Sequence, residues 1–503
     1  MDKEKSRIED KLRYIEFLWD KFHNGAQICT DSRQITPGCI FFALKGETFD
    51  GNKFAVSALE KGASIAVIDN KEVAMAGTAE GRKARKIRIQ NCSRNEMMPA
   101  QWKGGMLLVD NVLVCLQQLA RFNRLKYRIP VIALTGTNGK TTTKELITAV
   151  LSTEFNVVAT QGNLNNHIGV PYTLLRINEQ TQIAVVEMGA SAPGEIRTLV
   201  ELACPTFGLI TNVGTAHLQG FGSKEAIIAT KGELYDNLVS YHKMAFVNVD
   251  NPLLMDMAHK RDLKIIPYGV KNNGARILRK KENPYLSMTV PSPDIDSGVT
   301  RHRIYTQLIG DYNADNVMAA MTVGTYFGIK GKKAVKAIEK YCPSNNRSQL
   351  KVTDRNTLII DAYNANPSSM GVSLANFSRL SFQHKVLILG DMRELGAGSV
   401  DEHIAILKQA LALECEKVIL VGAEFGKAAD ALSTSGIRPS SASDECCKVQ
   451  AGSNQGSVES KGIHIYKDAA ELAQKLKAEP LKGCTVLIKG SHGIHLETLI
   501  DLL

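Results

Sequence analysis

Short apolar runs, closed by glycine, asparagine or an acidic residue, recur along the chain. Between them lie longer stretches whose apolar positions return every third or fourth residue. The opening MDKEKSRIEDKLRYIEFLWDKF has that helical spacing among charges of both signs. From about Cys29 to Asn70, CIFFAL and ASIAVID predict strands of a small α/β unit. Residues 83–105, rich in Arg, Asn, Met and Lys, break the pattern and predict a mobile loop or insertion. A second unit begins at Pro130, where the strand VIALTG runs through a glycine turn into the helical KTTTKELITAVLSTEF. IAVVEMG, FGLITNVG and MAFVNVD then predict buried strands of a mostly parallel sheet with helices on both faces. Helices near Asn316 and Lys333 lead to Cys342-Pro343-Ser344. Beyond it LIID, KVLILGD, KVILVG, IHIY and TVLIKG alternate with helices as in a Rossmann-like, doubly wound unit. The Ser, Gly and Asn-rich residues 440–460 predict a flexible surface loop in that unit. The expected fold class is therefore α/β in three domains, over residues 1–128, 129–344 and 345–503.

Composition agrees with this division. The 503 residues exceed one ordinary core, and 44% hydrophobic with 22% charged residues is the balance of folded protein. A net charge of +10 fits a nucleic acid, a membrane surface or a small anionic substrate. The most basic run, GRKARKIR from Gly81 to Arg88, has no interleaved aromatics to stack bases, so no nucleic-acid partner is expected. The opening stretch lacks the apolar centre of a signal peptide and no run is long enough for a membrane span, which predicts a cytoplasmic protein, here expected to be a monomer. Ten cysteines without a CxxC pair read as reduced thiols and not as zinc ligands.

The sharpest chemical signal is Gly136-Thr137-Asn138-Gly139-Lys140-Thr141-Thr142 at a strand-to-helix junction. Glycines there let successive amides face phosphate oxygens, and the helix presents its positive end. Lys140 would neutralise the β and γ phosphates and the Thr141 hydroxyl would face magnesium. The longer phosphate-loop pattern needs glycine where this chain has Leu134, so the motif is the shorter GxxGKT form. The competing reading is a tight turn with a solvated lysine.

TGTNGKTTTKE resembles the ATP-binding loop of the Mur ligases, and further pieces follow in that family's order. Asn163, Asn165, Asn166, Gly169 and Pro171 lie in GNLNNHIGVP, Glu187 in EMGAS, His217 in TNVGTAHLQGFGS and Lys231 in ATKGEL. The resemblance implies ATP, two magnesium ions held by Thr141, Glu187, His217 and Lys231, and catalysis by Lys140, Glu187, His217 and Lys231. Taken alone, a histidine after a strand is more often structural, and a helix lysine more often a surface group. A lysine ammonium beside two divalent cations would also be repelled. The resemblance implies that Lys231 escapes this by carbamylation with carbon dioxide.

The flanks narrow the branch. Asp361-Ala362-Tyr363-Asn364-Ala365-Asn366-Pro367-Ser368-Ser369 resembles the DxYNANPxS signature of the family's D-alanyl-D-alanine-adding enzymes, and GDMRELG with His403 beyond it agrees. This implies substrate contacts at Tyr363, Asn364 and Asn366. GDYNADN resembles the GxxNxxN element, implying Asn313 on the adenine side of ATP, Arg347 on phosphate and Asp361 on the ribose. By themselves Asn313 reads as a cap or turn residue and Arg347 as a surface cation. Thr30-Asp31-Ser32-Arg33 and FFALKGETFDGNKF, with Lys45 and Gly46, resemble the uridine-diphosphate-binding domain, and Asn163 and Asn166 would meet the same substrate. The chain departs from the family at Asn52, where DGH is usual, and at His492, where arginine is usual.

The implied reaction joins D-alanyl-D-alanine to UDP-N-acetylmuramoyl-tripeptide through an acyl phosphate, at the expense of ATP. The general base stays open between His217 and groups of the third domain. The rivals are a ligase of the folate polyglutamate or cyanophycin type, a phosphate-loop NTPase switch, and a nucleotide-binding protein without turnover.

Overall fold

Apolar runs too short for helices become strands buried on both faces, which is what a parallel sheet needs from its sequence. The computed structural model describes residues 2–74, 89–91, 104–216, 218–294, 298–343, 347, 349–433 and 462–503. Among these, the strands form four sheets. The N-terminal sheet holds β1 (Ile28–Cys29), β2 (Ile40–Phe42), β3 (Ile65–Ile68), β4 (Ile89–Asn91) and β5 (Gly105–Leu108) in the order β1-β2-β3-β5-β4, every pair parallel. The region expected as a loop, 83–105, thus supplies an edge strand, β4, and the first residue of β5. A three-residue edge strand is too short for its alternation to stand out from the surrounding charges. Residues 440–460 lie outside the described residues.

The central parallel sheet holds β6 (Val131–Thr135), β7 (Val157–Ala159), β8 (Ile183–Glu187), β9 (Phe207–Ile210), β10 (Met244–Asn248) and β11 (Lys264–Tyr268), ordered β11-β10-β9-β6-β8-β7. The chain enters at β6, goes out to the edge at β7, comes back inward to β8 beside β6, and crosses to β9 on the other side of β6. The C-terminal end of β6 is therefore a topological switch point, the place where parallel sheets hold ligands.

A third, antiparallel sheet was not foreseen: β12 (Arg276–Ile277), β13 (Tyr285–Asp294) and β14 (Gly298–Ile309). Its signal was present, because Leu286, Met288 and Val290 alternate inward along β13. They share a core with the helices Lys140–Leu151, Ala314–Tyr326 and Gly331–Lys340.

The last sheet holds β15 (Gln349–Val352), β16 (Thr357–Asp361), β17 (Lys385–Gly390), β18 (Lys417–Val421), β19 (Gly462–Tyr466) and β20 (Thr485–Lys489), in the order β15-β16-β20-β17-β18-β19. Only β15 runs antiparallel, at the edge, so the doubly wound expectation holds with one mixed strand. Cys29, Cys39, Cys204, Cys342 and Cys484 are free thiols, and the first two are buried. Among the described residues no helix is long and apolar enough to cross a membrane.

Candidate functional site

β6 is buried throughout and delivers the chain to Gly136, whose φ of 147° and neighbours exclude a side chain, since a Cβ there would stand 2.0 Å from Thr211 Oγ1. Gly139, at φ 77°, turns the chain into the helix Lys140–Leu151 in a left-handed conformation that favours glycine. The segment after β9 pins the loop between them. Asn138 N donates to Asn212 Oδ1 at 3.0 Å, and Thr211 Oγ1 donates to Asn138 O at 2.7 Å. Thr137 Oγ1 accepts from Gly214 N at 2.9 Å. Lys140 Nζ donates to Gly136 O at 2.8 Å and to Thr137 O at 3.1 Å. Burial lowers its pKa, Glu187 opposes that, and Arg347 adds to it.

Glu187 closes β8 next to this loop and is 1% exposed. Its Oε1 accepts from Asn165 Nδ2 at 2.8 Å and from Thr141 Oγ1 at 3.2 Å. Its Oε2 is buried with no hydrogen-bond partner among the described residues, and Lys144 Nζ stands 3.9 Å from it. A buried carboxylate oxygen without a donor is strongly unfavourable unless a cation meets it. A hydroxyl and a carboxylate side by side are the hard oxygen donors that magnesium prefers. The two first-choice metal residues, Thr141 and Glu187, therefore fit the ion. His217 lies outside the described residues.

Lys231 projects from the helix Lys224–Ser240 into the same cavity and is 3% exposed. Its ammonium lies 5.8 Å from the centre of the Phe221 ring. Desolvation, reinforced by repulsion from Lys140 and opposed by Glu195 and Glu233, lowers its pKa to about 7.

The facing wall belongs to the C-terminal domain. Asp361 ends β16 and Lys489 ends the neighbouring β20, with Lys489 Nζ donating to Asp361 Oδ2 at 2.5 Å. Ser373 Oγ donates to the same oxygen at 3.2 Å. The Arg347 guanidinium lies 3.8 Å from the centre of the Tyr363 ring, which stacks on His492. Asn313 lines the cavity and also braces the turn before the helix Ala314–Tyr326: it donates to Ile309 O at 2.8 Å and accepts from Asn316 Nδ2 at 2.9 Å.

One cavity of about 1040 Å³ joins the phosphate loop, Thr142, Asn163, Asn166, Glu187, Lys231, Asn313, Arg347, Asp361, Tyr363 and Asn364. Asn366 does not line it and instead bonds to Asn138. Asp31, Ser32, Arg33, Lys45 and Gly46 stand apart on the N-terminal domain. There Arg33 clamps Asp31 through bonds of 2.8 to 3.2 Å and holds its carboxyl down to about 2. Lys45 pairs with Asp69 at 2.8 Å. Asn52, fully buried, donates to Asp50 Oδ1 at 2.8 Å and to Asp69 Oδ1 at 2.9 Å, and accepts from Asp69 N at 3.0 Å. Asparagine thus knits this loop where the resembling family has histidine.

Sequence reading gave no role to four residues in or beside the cavity. Lys144 lies one helical turn beyond Thr141, Asn212 braces the loop, Ser368 touches Asn138, and Lys489 partners Asp361. A lysine closing the apolar run TVLIK was the available signal for the last. His403, quoted beside GDMRELG, is structural: its Nε2 accepts from Met392 N at 3.0 Å and its Nδ1 donates to Ser399 O at 2.6 Å.

Comparison with known proteins gives a consistent pattern. Three family descriptions match in order: "Mur ligase family, catalytic domain" over residues 26–103, "Mur ligase middle domain" over 134–324, and "Mur ligase, glutamate ligase domain" over 346–492. The UDP-N-acetylmuramoyl-tripeptide--D-alanyl-D-alanine ligase of Bacillus subtilis is 32% identical over 480 residues, covering 94% of this chain and 92% of that one. The crystal structure of MurF from Acinetobacter baumannii superposes with a TM-score of 0.74 at 26% identity, covering 95% and 93% of the two chains. MurF from Thermotoga maritima, solved in complex with ADP, shares the fold at a TM-score of 0.73 and 22% identity, covering 95% and 96%.

Proposed function

We propose that this chain, which belongs to the Mur ligase family, joins D-alanyl-D-alanine to UDP-N-acetylmuramoyl-tripeptide with cleavage of ATP to ADP and phosphate, forming the pentapeptide precursor of peptidoglycan. The observation that carries the reading is the single cavity walled on one side by the phosphate loop and Glu187 and on the other by Tyr363 and Asn364 of the signature segment. A phosphate donor and an incoming amine need that proximity.

In this reading the amides of residues 136–140 and Lys140 cradle the ATP phosphates, while Asn313, Arg347 and Asp361 hold its adenine, phosphate and ribose. The terminal carboxylate of the tripeptide attacks the γ-phosphorus, ADP leaves, and an acyl phosphate forms. The amine of D-alanyl-D-alanine then attacks that carbonyl, the new C–N bond forms, phosphate departs with the carboxylate's oxygen, and the amine's proton passes to a base or to solvent. Thr141 and Glu187 would hold magnesium, which when bound neutralises charge on the phosphates. His217 and Lys231 belong to the same proposed ligand set. Lys231 joins it after its neutral amine attacks carbon dioxide and loses a proton to solvent, which leaves a carbamate anion.

Asp31, Ser32, Arg33, Lys45 and Gly46 would bind the uridine diphosphate, with Asn163 and Asn166 along its path to the cavity. Tyr363 and Asn364 would meet the dipeptide. Residues 1–128, 129–344 and 345–503 are the corresponding functional domains. ATP and a nucleotide-linked sugar are supplied in the cytoplasm, which supports that location. Action as a monomer belongs to the same reading.

The test is product mass after incubation with ATP, magnesium, the UDP-linked tripeptide and D-alanyl-D-alanine. A product heavier than the tripeptide by the dipeptide less one water is expected. Phosphate release that ignores the dipeptide would overturn the reading.

A further inference from the structure

The phosphate loop has a neighbour from another domain. Asn138, at its middle, is held by its own domain through three backbone bonds, two to Asn212 and one to Thr211. Both ends of its side-chain amide cross to the C-terminal domain. Its Nδ2 donates to Ser368 Oγ at 2.8 Å and its Oδ1 accepts from Asn366 Nδ2 at 2.9 Å. Ser368 Oγ in turn donates to Asn366 Oδ1 at 2.8 Å, and that oxygen caps the helix Pro367–Arg379 by accepting from Ser369 N at 2.9 Å. The three side chains thus form a closed set of bonds tied to a helix end. Gly214 makes room for it, because a Cβ there would stand 2.9 Å from Ser368 Oγ.

Other cross-domain contacts among the described residues are of a different kind. Arg379 pairs with Asp311 at 3.0 Å, Ser381 N donates to Lys281 O at 3.0 Å, and Gln219 N donates to Glu394 O at 3.2 Å. They dock the domains without touching the phosphate loop.

We infer that Ser368 and Asn366 are positioning residues that hold Asn138, and with it the phosphate loop, in its working shape only while the C-terminal domain is docked. Phosphoryl transfer then waits for the domain that brings the amine, so the acyl phosphate is not made where water alone would meet it. This rests on the ligase reading for its purpose, but not for its geometry. It also gives Asn366 a task other than the substrate contact expected of it: its amide is spent on the loop and the helix cap.

The test compares the full-length protein with Ser368→Ala and Ser368→Thr by amide hydrogen exchange across residues 136–140 and by steady-state kinetics. For Ser368→Ala, exchange in the loop is expected to rise about tenfold and kcat to fall about tenfold, the scale of one lost hydrogen bond. ADP affinity and KM for ATP should stay within about twofold, and Ser368→Thr, which keeps the hydroxyl, should recover most of the loss. Unchanged loop exchange in Ser368→Ala would overturn the inference, as would equal damage in both variants with a common loss of melting temperature. Exchange decides the matter even if the wild type turns over neither substrate, a result that would overturn the ligase reading instead.

Discussion

Replacing Lys231 with alanine tests the least ordinary group in the cavity. The side chain is 3% exposed and its pKa is lowered to about 7, chiefly by desolvation and then by Lys140. At pH 7.5 such an amine is about three-quarters neutral, whereas an ordinary lysine is neutral in about one molecule in a thousand. Only the neutral amine attacks carbon dioxide, so burial raises the reactive fraction by nearly three orders of magnitude. It also supplies the reason for the product, since a carbamate anion suits a magnesium site that an ammonium would oppose. Turnover of Lys231→Ala should fall about a hundredfold or more, the scale of a lost metal-site group, and short carboxylates such as acetate should restore part of it. At fixed dissolved carbon dioxide, wild-type activity should rise as pH climbs through about 7, because the proton that blocks carbamylation is then lost. The assay is phosphate release after exhaustive removal of carbon dioxide, with bicarbonate returned in steps. Full activity without carbon dioxide, or a Lys231→Ala protein with normal turnover, would refute the reasoning.

Four other outcomes follow from the same geometry. Glu187→Gln keeps the shape of the group that Thr141 and Asn165 hold but removes its charge, so a magnesium titration should show a requirement raised about tenfold or more. Lys489→Met leaves the Asp361 carboxylate without its ammonium partner; breaking a fully buried pair costs about 3–5 kcal/mol, and the partial exposure of Asp361 reduces this to about 2 kcal/mol, read as lower stability in urea unfolding. Asn52→Ala removes donors from Asp50 and Asp69 and an acceptor from Asp69 N; it should cost about 2 kcal/mol in urea unfolding with an unchanged slope. For stability, the lowered pKa of Lys231 means that the unfolded chain binds more protons above about pH 7, so the burial penalty is full below that pH and relieved above it. Lys231→Met should therefore raise the melting temperature at pH 6 more than at pH 9.

The order of domains was legible because a parallel sheet writes itself as apolar runs, and each run from VIALT to TVLIK became a strand. The antiparallel sheet of β12, β13 and β14 escaped because polar residues stand between the apolar ones, as Ser287 and Thr289 do between Leu286, Met288 and Val290, so only alternation marked it. β4 escaped for want of length. Within the cavity, the loop and Glu187 announced themselves by type and spacing. Lys144, Asn212, Ser368 and Lys489 did not, because each matters through a partner distant in sequence: Asn138 and Ser368 are 230 residues apart and Asp361 and Lys489 are 128 apart. Pairings of that kind are set by strand order and domain docking, which a single sequence does not display. Asn366 shows the converse, since its motif pointed to substrate while its hydrogen bonds go to the phosphate loop.

The account stands most directly on the origin of the oxygen in released phosphate. The UDP-linked tripeptide would carry isotopically heavy oxygen in its terminal carboxylate and be turned over with ATP, magnesium and D-alanyl-D-alanine, and the phosphate would be analysed by mass. The account predicts one heavy oxygen in each phosphate formed, in step with each new amide bond. Phosphate formed alongside the product but free of the label would contradict the acyl-phosphate route and, with it, the proposed work of this cavity.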